Sequence, residues 1–127
     1  MKKIILLPLL FCASFAFSQK EANIWYFGDH AGLDFNSGVP VALTDSQMFT
    51  HEGCAVLSNS AGQLLFYTDG KTIWNKNHQV MMNGTGLMGD FSSTQSAIIV
   101  PKPSSSTLFY VFTTDFEAPA LRSMNNS

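Results

Sequence analysis

The amino-acid sequence predicts an all-β fold: an incomplete β-propeller of about one four-stranded antiparallel blade plus the start of a second, with a β-sandwich as the alternative. Three observations lead there. Apolar residues fall in runs of about four to six rich in Ile, Val, Phe, Tyr, Trp and Thr, and Gly, Asn, Asp, Ser and Pro bound these runs at close intervals. Helical spacing of apolar residues is almost absent. A hairpin pattern in the middle of the chain recurs about 42 residues later, a period typical of four-stranded propeller blades.

The first segment, residues 1–18, reads as a secretory signal peptide. Lys2 and Lys3 form a positive start, Ile4 to Phe17 an apolar stretch, and Ala16-Phe17-Ser18 sets small residues where a signal peptidase reads them, before Gln19. The apolar stretch is interrupted by Pro8 and is shorter than the ~20 residues that span a bilayer. Phe11 before Cys12 is too large for lipoprotein processing. Cleavage predicts a mature chain of 109 residues with its start at Gln19 and no membrane span.

Residues 19–116 form the predicted partial propeller. Ile24 to Phe27 is the first expected strand, and Leu33 to Phe35 and Val39 to Leu43 flank the turn Asn36-Ser37-Gly38 as a hairpin. Ala55 to Ser58, Leu64 to Thr68, Thr72 to Trp74 and Gln79 to Met82 then read as four consecutive strands. Their connections are Asn59 to Gly62, the dipeptide Asp69-Gly70, and Asn75 to Asn77. An Asp-Gly pair between apolar strands predicts a type I′ turn, which needs positive φ at both central residues. Four strands in an up-and-down meander make one blade.

The second copy begins at Ala97. Ala55-Val56-Leu57 and Leu65-Phe66-Tyr67 recur as Ala97-Ile98-Ile99 and Leu108-Phe109-Tyr110, with a turn over Pro101 to Ser106 between them. Strands apolar on both faces, such as Ile24-Trp25-Tyr26-Phe27, suit sheets stacked face to face. A propeller of four such blades needs about 170 residues, so a closed ring is not expected from this chain by itself. The missing blades are expected from a longer polypeptide or from self-association. Residues 117–127 turn polar and read as an irregular tail at a truncated end.

Composition narrows the function classes. Charged residues make up 13% of the chain against a usual share of about 25%. The net charge is −2, and removal of Lys2 and Lys3 from the seven basic residues leaves five against nine acidic ones, a net of −4. An acidic balance argues against a phosphate-binding surface and hence against nucleic acid. Of the two cysteines only Cys54 remains after cleavage, so an intramolecular disulfide is not expected and packing must hold the fold. Cys54 lies in the apolar run Gly53 to Leu57 and reads as a small buried hydrophobe.

Motifs that carry chemistry fail on context. Gly84-Thr85-Gly86-Leu87-Met88-Gly89 satisfies G-x-G-x-x-G, yet Asp90 to Ser96 opens no amphipathic helix to hold a pyrophosphate, so the segment reads as a flexible loop between blades. His30, His51 and His78 have no zinc-binding spacing. No G-x-S-x-G elbow is present. Asp29, Asp34, Glu52 and Asp69 could supply paired carboxylates for glycoside hydrolysis, but each reads first as a turn or cap residue. The expectation is therefore no catalytic, cofactor or metal residues.

Seven blocks in order carry a family resemblance: NIWYFG at Asn23 to Gly28, GLDF at Gly32 to Phe35, EGC at Glu52 to Cys54, LFYTDG at Leu65 to Gly70, IWNKNH at Ile73 to His78, STQSAIIVPKP at Ser93 to Pro103 and FYVFT at Phe109 to Thr113. They resemble the N-terminal region of large exported Bacteroidetes proteins named for a gliding-motility-associated C-terminal domain. The resemblance implies an N-terminal propeller-like region, repeat domains after it and a C-terminal signal for type IX secretion to the cell surface. It supplies no catalytic residues. The expected function is a non-enzymatic secreted or cell-surface interaction or adhesion module, an N-terminal fragment of a larger exported protein, with a protein or glycan partner. The alternative is part of a secreted polysaccharide-acting hydrolase whose site needs the complete propeller.

Overall fold

The computed structural model describes residues 20–115; the signal-peptide segment 1–18 and the tail 117–127 lie outside the described residues. Among those described there is no helix and there are nine strands: β1 (Ile24–Phe27), β2 (Ala31–Asp34), β3 (Val41–Leu43), β4 (Ala55–Ser58), β5 (Leu64–Thr68), β6 (Thr72–Asn75), β7 (Val80–Thr85), β8 (Ala97–Pro101) and β9 (Phe109–Thr113). They form three antiparallel sheets in chain order: β1-β2-β3, β4-β5-β6-β7 and β8-β9. The all-β expectation holds, and so does the meander in the middle sheet. All three sheets are open, an arrangement that suits a sandwich as well as stacked blades.

Strand limits follow local chemistry. β4 and β5 have their predicted bounds. β2 starts two residues earlier than Leu33 and stops at Asp34, because the Asp34 carboxylate accepts the Asn36 amide 2.7 Å away and opens the turn. β3 begins at Val41 rather than Val39, since Pro40 has no amide to give a ladder. β7 runs on to Thr85, past the predicted end at Met82, by way of a register shift and a left-handed Asn83 at φ 57°. Its last two residues are the first two of the G-x-G-x-x-G string, which is thus partly strand.

Two hairpin loops of the middle sheet are built alike. Asn59 and Asn75 each donate their amide to the carbonyl of the residue four on, Gln63 and Gln79, at 2.9 Å. Each asparagine carboxamide oxygen also accepts two loop amides: Ala61 and Gln63 in one, Asn77 and Gln79 in the other. The fourth residue is left-handed in both, Gly62 at φ 81° and His78 at φ 60°. The Asp69-Gly70 connection departs from the predicted type I′ turn. Only Gly70 has positive φ, at 90°; the loop spans four residues between the paired Thr68 and Ile73. The Asp69 carboxylate closes it by accepting the Lys71 and Thr72 amides, both at 2.8 Å, an Asx arrangement that leaves Asp69 in an ordinary conformation.

The core lies between the first and middle sheets. Tyr26, Met48, Leu64, Tyr67 and Trp74 are buried there, with Ile24, Leu43, Cys54 and Val56 packed around them. Tyr26 and Tyr67 meet at 4.9 Å between ring centroids, and Trp74 stacks on Tyr67 at 5.4 Å and 17°. The other face of the middle sheet meets the third through Phe66 and Phe109, 5.6 Å apart.

The sequence repeat finds both hairpins but not their facing. Tyr67 is fully buried toward the first sheet, whereas its repeat counterpart Tyr110 is 47% exposed, with Ile98, Val100 and Phe112 beside it. Tyr67 pairs with Val56, whereas Phe112 pairs with Ile98 and Tyr110 with Val100, so the offset is two residues and Tyr110 keeps the same face of its hairpin. What differs is the face that packs: Tyr67 meets the first sheet, while the third sheet meets the middle one through Phe109, on the face opposite Tyr110.

Candidate functional site

Four connections meet at one end of the sheets. The β3–β4 crossover begins as an extended stretch with Ser46, Met48 and Thr50 buried and Asp45, Gln47 and Phe49 outward. It is tied to the β1–β2 turn by His30 N–H to Met48 O and Thr50 N–H to Gly28 O, both 3.0 Å, and by the bridge between Asp29 and Phe49. The β7–β8 crossover, expected as a flexible loop, is tied along its length. Leu87 and Gly89 donate to the Lys71 and Gly70 carbonyls, and Phe91 and Ser93 accept the His51 and Gly53 amides. Thr50 Oγ1 adds bonds to the Gly53 and Phe91 carbonyls at 3.1 and 3.2 Å.

Close packing underlies these ties. A Cβ on Gly53 would lie 2.7 Å from the Ser93 carbonyl oxygen, and one on Gly70 the same distance from that of Ser96. Ser96, fully buried, gives its hydroxyl to the Asp69 carbonyl. Glycine at both positions lets the β7–β8 crossover lie directly on the turns beneath it.

The surface so assembled is aromatic and exposed. Phe49, His51 and Phe91 form a ladder of edge-on rings with centroids 5.3 and 5.2 Å apart. Phe49 is 53% and Phe91 40% exposed. The Lys71 ammonium sits 5.3 Å from the Phe91 centroid and 4.0 Å from the Asp90 carboxylate. Bonds from the Ser92 amide and hydroxyl, helped by Lys71, hold the Asp90 carboxyl below its ordinary range. Glu52 accepts the Thr94 hydroxyl at 2.8 Å beside them. Rings, one cation and two carboxylates on tied loops can stack against an apolar surface while bonding its polar groups.

The other residues singled out in the sequence are dispersed. Asp34 and Asp69 are spent on turn amides, and Asp29 lies 3.4 Å from His30 Nε2. The three histidines have separate surroundings: His30 Nδ1 meets the Ser46 carbonyl at 2.5 Å, His51 stands between phenylalanines, and His78 faces Tyr67 and Asp45. Among the described residues no three His, Cys, Asp or Glu side chains group as metal ligands. Cys54 is half-buried against the core, and burial, with the charge of Asp69, raises its thiol pKa.

One partly buried polar chain escaped sequence reading. Tyr26 donates its hydroxyl to Asp45 at 2.9 Å, His78 Nε2 lies 3.2 Å from the other Asp45 oxygen, and His78 Nδ1 is 3.1 Å from the Tyr67 hydroxyl. The Gln47 amide donates to that same hydroxyl at 3.0 Å, so Tyr67 can donate onward to Nδ1 and Nε2–H to Asp45. Tyr67 is fully buried; the chain clamps the first sheet to the middle one.

Two apolar grooves are also found among the described residues. One, of about 500 Å³, runs between Leu65, Ile73 and Met81 of the middle sheet and Leu108 and Phe109 of the third. The other, of about 330 Å³, is lined by Ala22, all of β1, Cys54 and Val56. No protein family, curated protein or solved structure matches the chain.

Proposed function

We propose that this chain is a non-enzymatic interaction module of an exported protein, a stack of propeller-type blades that binds a protein or glycan partner at the cell surface through its tied loop end. The observation that carries the reading is the Phe49–His51–Phe91 ladder with Lys71 across it. Exposed rings clustered on anchored loops bind at little ordering cost, because the backbone is already held. The resemblance of the seven sequence blocks to large exported Bacteroidetes proteins, and the signal-peptide pattern of residues 1–18, are what support the reading of export by the route those proteins use, with this region at the N-terminus of a longer polypeptide.

The blade reading draws support from strand directions. Ser58 N–H meets the Glu21 carbonyl and Cys54 Sγ meets the Tyr26 carbonyl, so β4 runs opposite to β1 and β1 runs with β5. The β5 end at Asp69 and Gly70 adjoins the start of β8 at Ser96, so β9 runs with β5 as well. β1, β5 and β9 are then equivalent strands of three successive sheets, joined through Tyr26–Tyr67 and Phe66–Phe109.

The test is binding of the mature chain to arrayed bacterial surface polysaccharides and to extracted envelope proteins. Phe49→Ala together with Phe91→Ala should weaken capture at least tenfold with an unchanged melting temperature. Equal capture by the double variant would remove the loop end as the binding surface.

A further inference from the structure

We infer that the tied loop end takes an extended, arginine-bearing segment of a protein partner, its guanidinium groups seated among the Phe49, His51 and Phe91 rings and paired with the carboxylates beside them. The inference rests on the loop end as the binding surface and adds the chemistry which that surface selects.

Charge is sorted along the strands. Lys20, Lys76 and Lys102 lie at one end, before β1, between β6 and β7 and between β8 and β9. Among the described residues Lys71 is the one lysine or arginine at the loop end, where each of the four connections supplies a carboxylate: Asp29, Glu52, Asp69 and Asp90. Asp69 is spent on its own turn, and Asp45, in the same crossover as Glu52, is taken up by Tyr26 and His78. The other three stand beside the exposed rings.

Each ring of the ladder has one of them next to it. Asp29 opposes Phe49 across the isolated bridge, in the kind of antiparallel pair that shares no hydrogen bond of its own and brings side chains closest. Glu52 follows His51 and Asp90 precedes Phe91 in the chain. Asp29 Oδ1 lies 3.4 Å from His30 Nε2, Glu52 Oε2 accepts the Thr94 hydroxyl, and Asp90 Oδ1 accepts from Ser92. A carboxylate accepts through its second oxygen as well, so these anchors orient the groups without using them up.

Ring planes favour a protein segment over a glycan. Neighbouring planes of the ladder stand at 69° and 77° to one another, so no two adjacent rings offer a common flat face along which successive sugar rings could stack. They offer separate faces and edges with carboxylates beside them, a fit for individual planar cations. The chain makes one such contact within itself: the Lys71 ammonium lies 5.3 Å from the Phe91 centroid and 4.0 Å from Asp90. A guanidinium suits such a surface better than an ammonium, because it stacks on rings and meets a carboxylate with two parallel bonds. In an extended segment alternate side chains share one face at a spacing of about 7 Å. The ladder advances by 5.3 and 5.2 Å per ring, so arginines at alternate positions reach both Phe49 and Phe91 on their flexible stems.

The experiment titrates the mature chain with a short peptide alternating arginine and glycine, with its lysine and glutamate counterparts, and with cellohexaose as a neutral glycan. The expected result is saturable binding of the arginine peptide that shifts the ring resonances of Phe49, His51 and Phe91, at least fivefold weaker binding of the lysine peptide, and none of the glutamate peptide. Asp29→Asn with Glu52→Gln keeps the rings and removes two exposed charges. It should weaken the arginine peptide at least tenfold at an unchanged melting temperature. Absence of arginine-peptide binding, equal binding of the lysine peptide, or equal binding by this charge variant would overturn the inference. Binding of cellohexaose instead, kept by the charge variant and lost by Phe49→Ala with Phe91→Ala, would overturn it while leaving the loop end as the binding surface. Equal arginine-peptide binding by that ring variant would overturn both.

Discussion

The Tyr67 hydroxyl lies 3.1 Å from Nδ1 of His78, a residue that the β6–β7 loop holds in the left-handed region at φ 60°. The loop's conformation thus swings an imidazole back over the core to meet a phenol that strand β5 has already buried. Removing the Tyr67 hydroxyl breaks this bond and the one from the Gln47 amide. Tyr67→Phe should cost about 1–3 kcal/mol in urea unfolding. Asp45→Ala should cost less, since the Asp45 side chain is about half exposed and water can replace it.

Alkaline pH should weaken the fold. Burial, then the Asp45 hydrogen bond and charge, push the Tyr26 hydroxyl well above its ordinary 10.0, and burial raises Tyr67 as well. In the unfolded chain both ionise near pH 10, while the folded chain holds their protons, so stability is intact below about pH 10 and falls as pH rises beyond it. Melting temperatures recorded from pH 8 to 11.5 should show this decline on a scale of about pH units, and Tyr26→Phe should flatten it. A slope unaffected by Tyr26→Phe would contradict the assignment.

Glycine substitutions separate close packing from backbone strain. Gly70 has φ 90°, and a Cβ there would overlap Ser96 Oγ; Gly28 has φ 59° with open space around it. Gly70→Ala should lose about 2–4 kcal/mol, from strain and displacement of the β7–β8 crossover together. Gly28→Ala should lose about 1 kcal/mol from strain alone. Chemical denaturation of both variants decides the point.

Two methionines make a matched pair for the core. Met48 is fully buried beside Tyr67 and Trp74, whereas Met82 is 92% exposed. Met48→Ala should cost about 2–5 kcal/mol. Met82→Ala should stay within about 0.5 kcal/mol, measured by the same unfolding curves.

What the sequence reveals here is whatever depends on neighbours in the chain. Leu64 to Thr68 is legible as a strand because its residues are β-formers bounded by turn residues on both sides. The buried stretch from Ser46 to Thr50 is not, because two of its three inward residues are Ser and Thr, and hydroxyls masked by burial look like surface in a one-dimensional pattern. The aromatic loop end is hidden for a different reason. Phe49 and Phe91 are 42 positions apart, and only the folded crossovers bring them to either side of His51.

The twin asparagine loops bear on the order of events in folding. Each closes over five residues with its own first side chain, so β4–β5 and β6–β7 can zip on the microsecond scale of isolated hairpins without help from elsewhere. The ties of the first sheet, by contrast, span far more chain: Asn36 Nδ2 bonds the Gly62 carbonyl across 26 positions, and Cys54 reaches Tyr26 across 28. The first sheet's hairpins are local too, with Phe27 paired to Ala31 and Asp34 to Val41, so the long-range ties concern the docking of two sheets that can each pair by themselves.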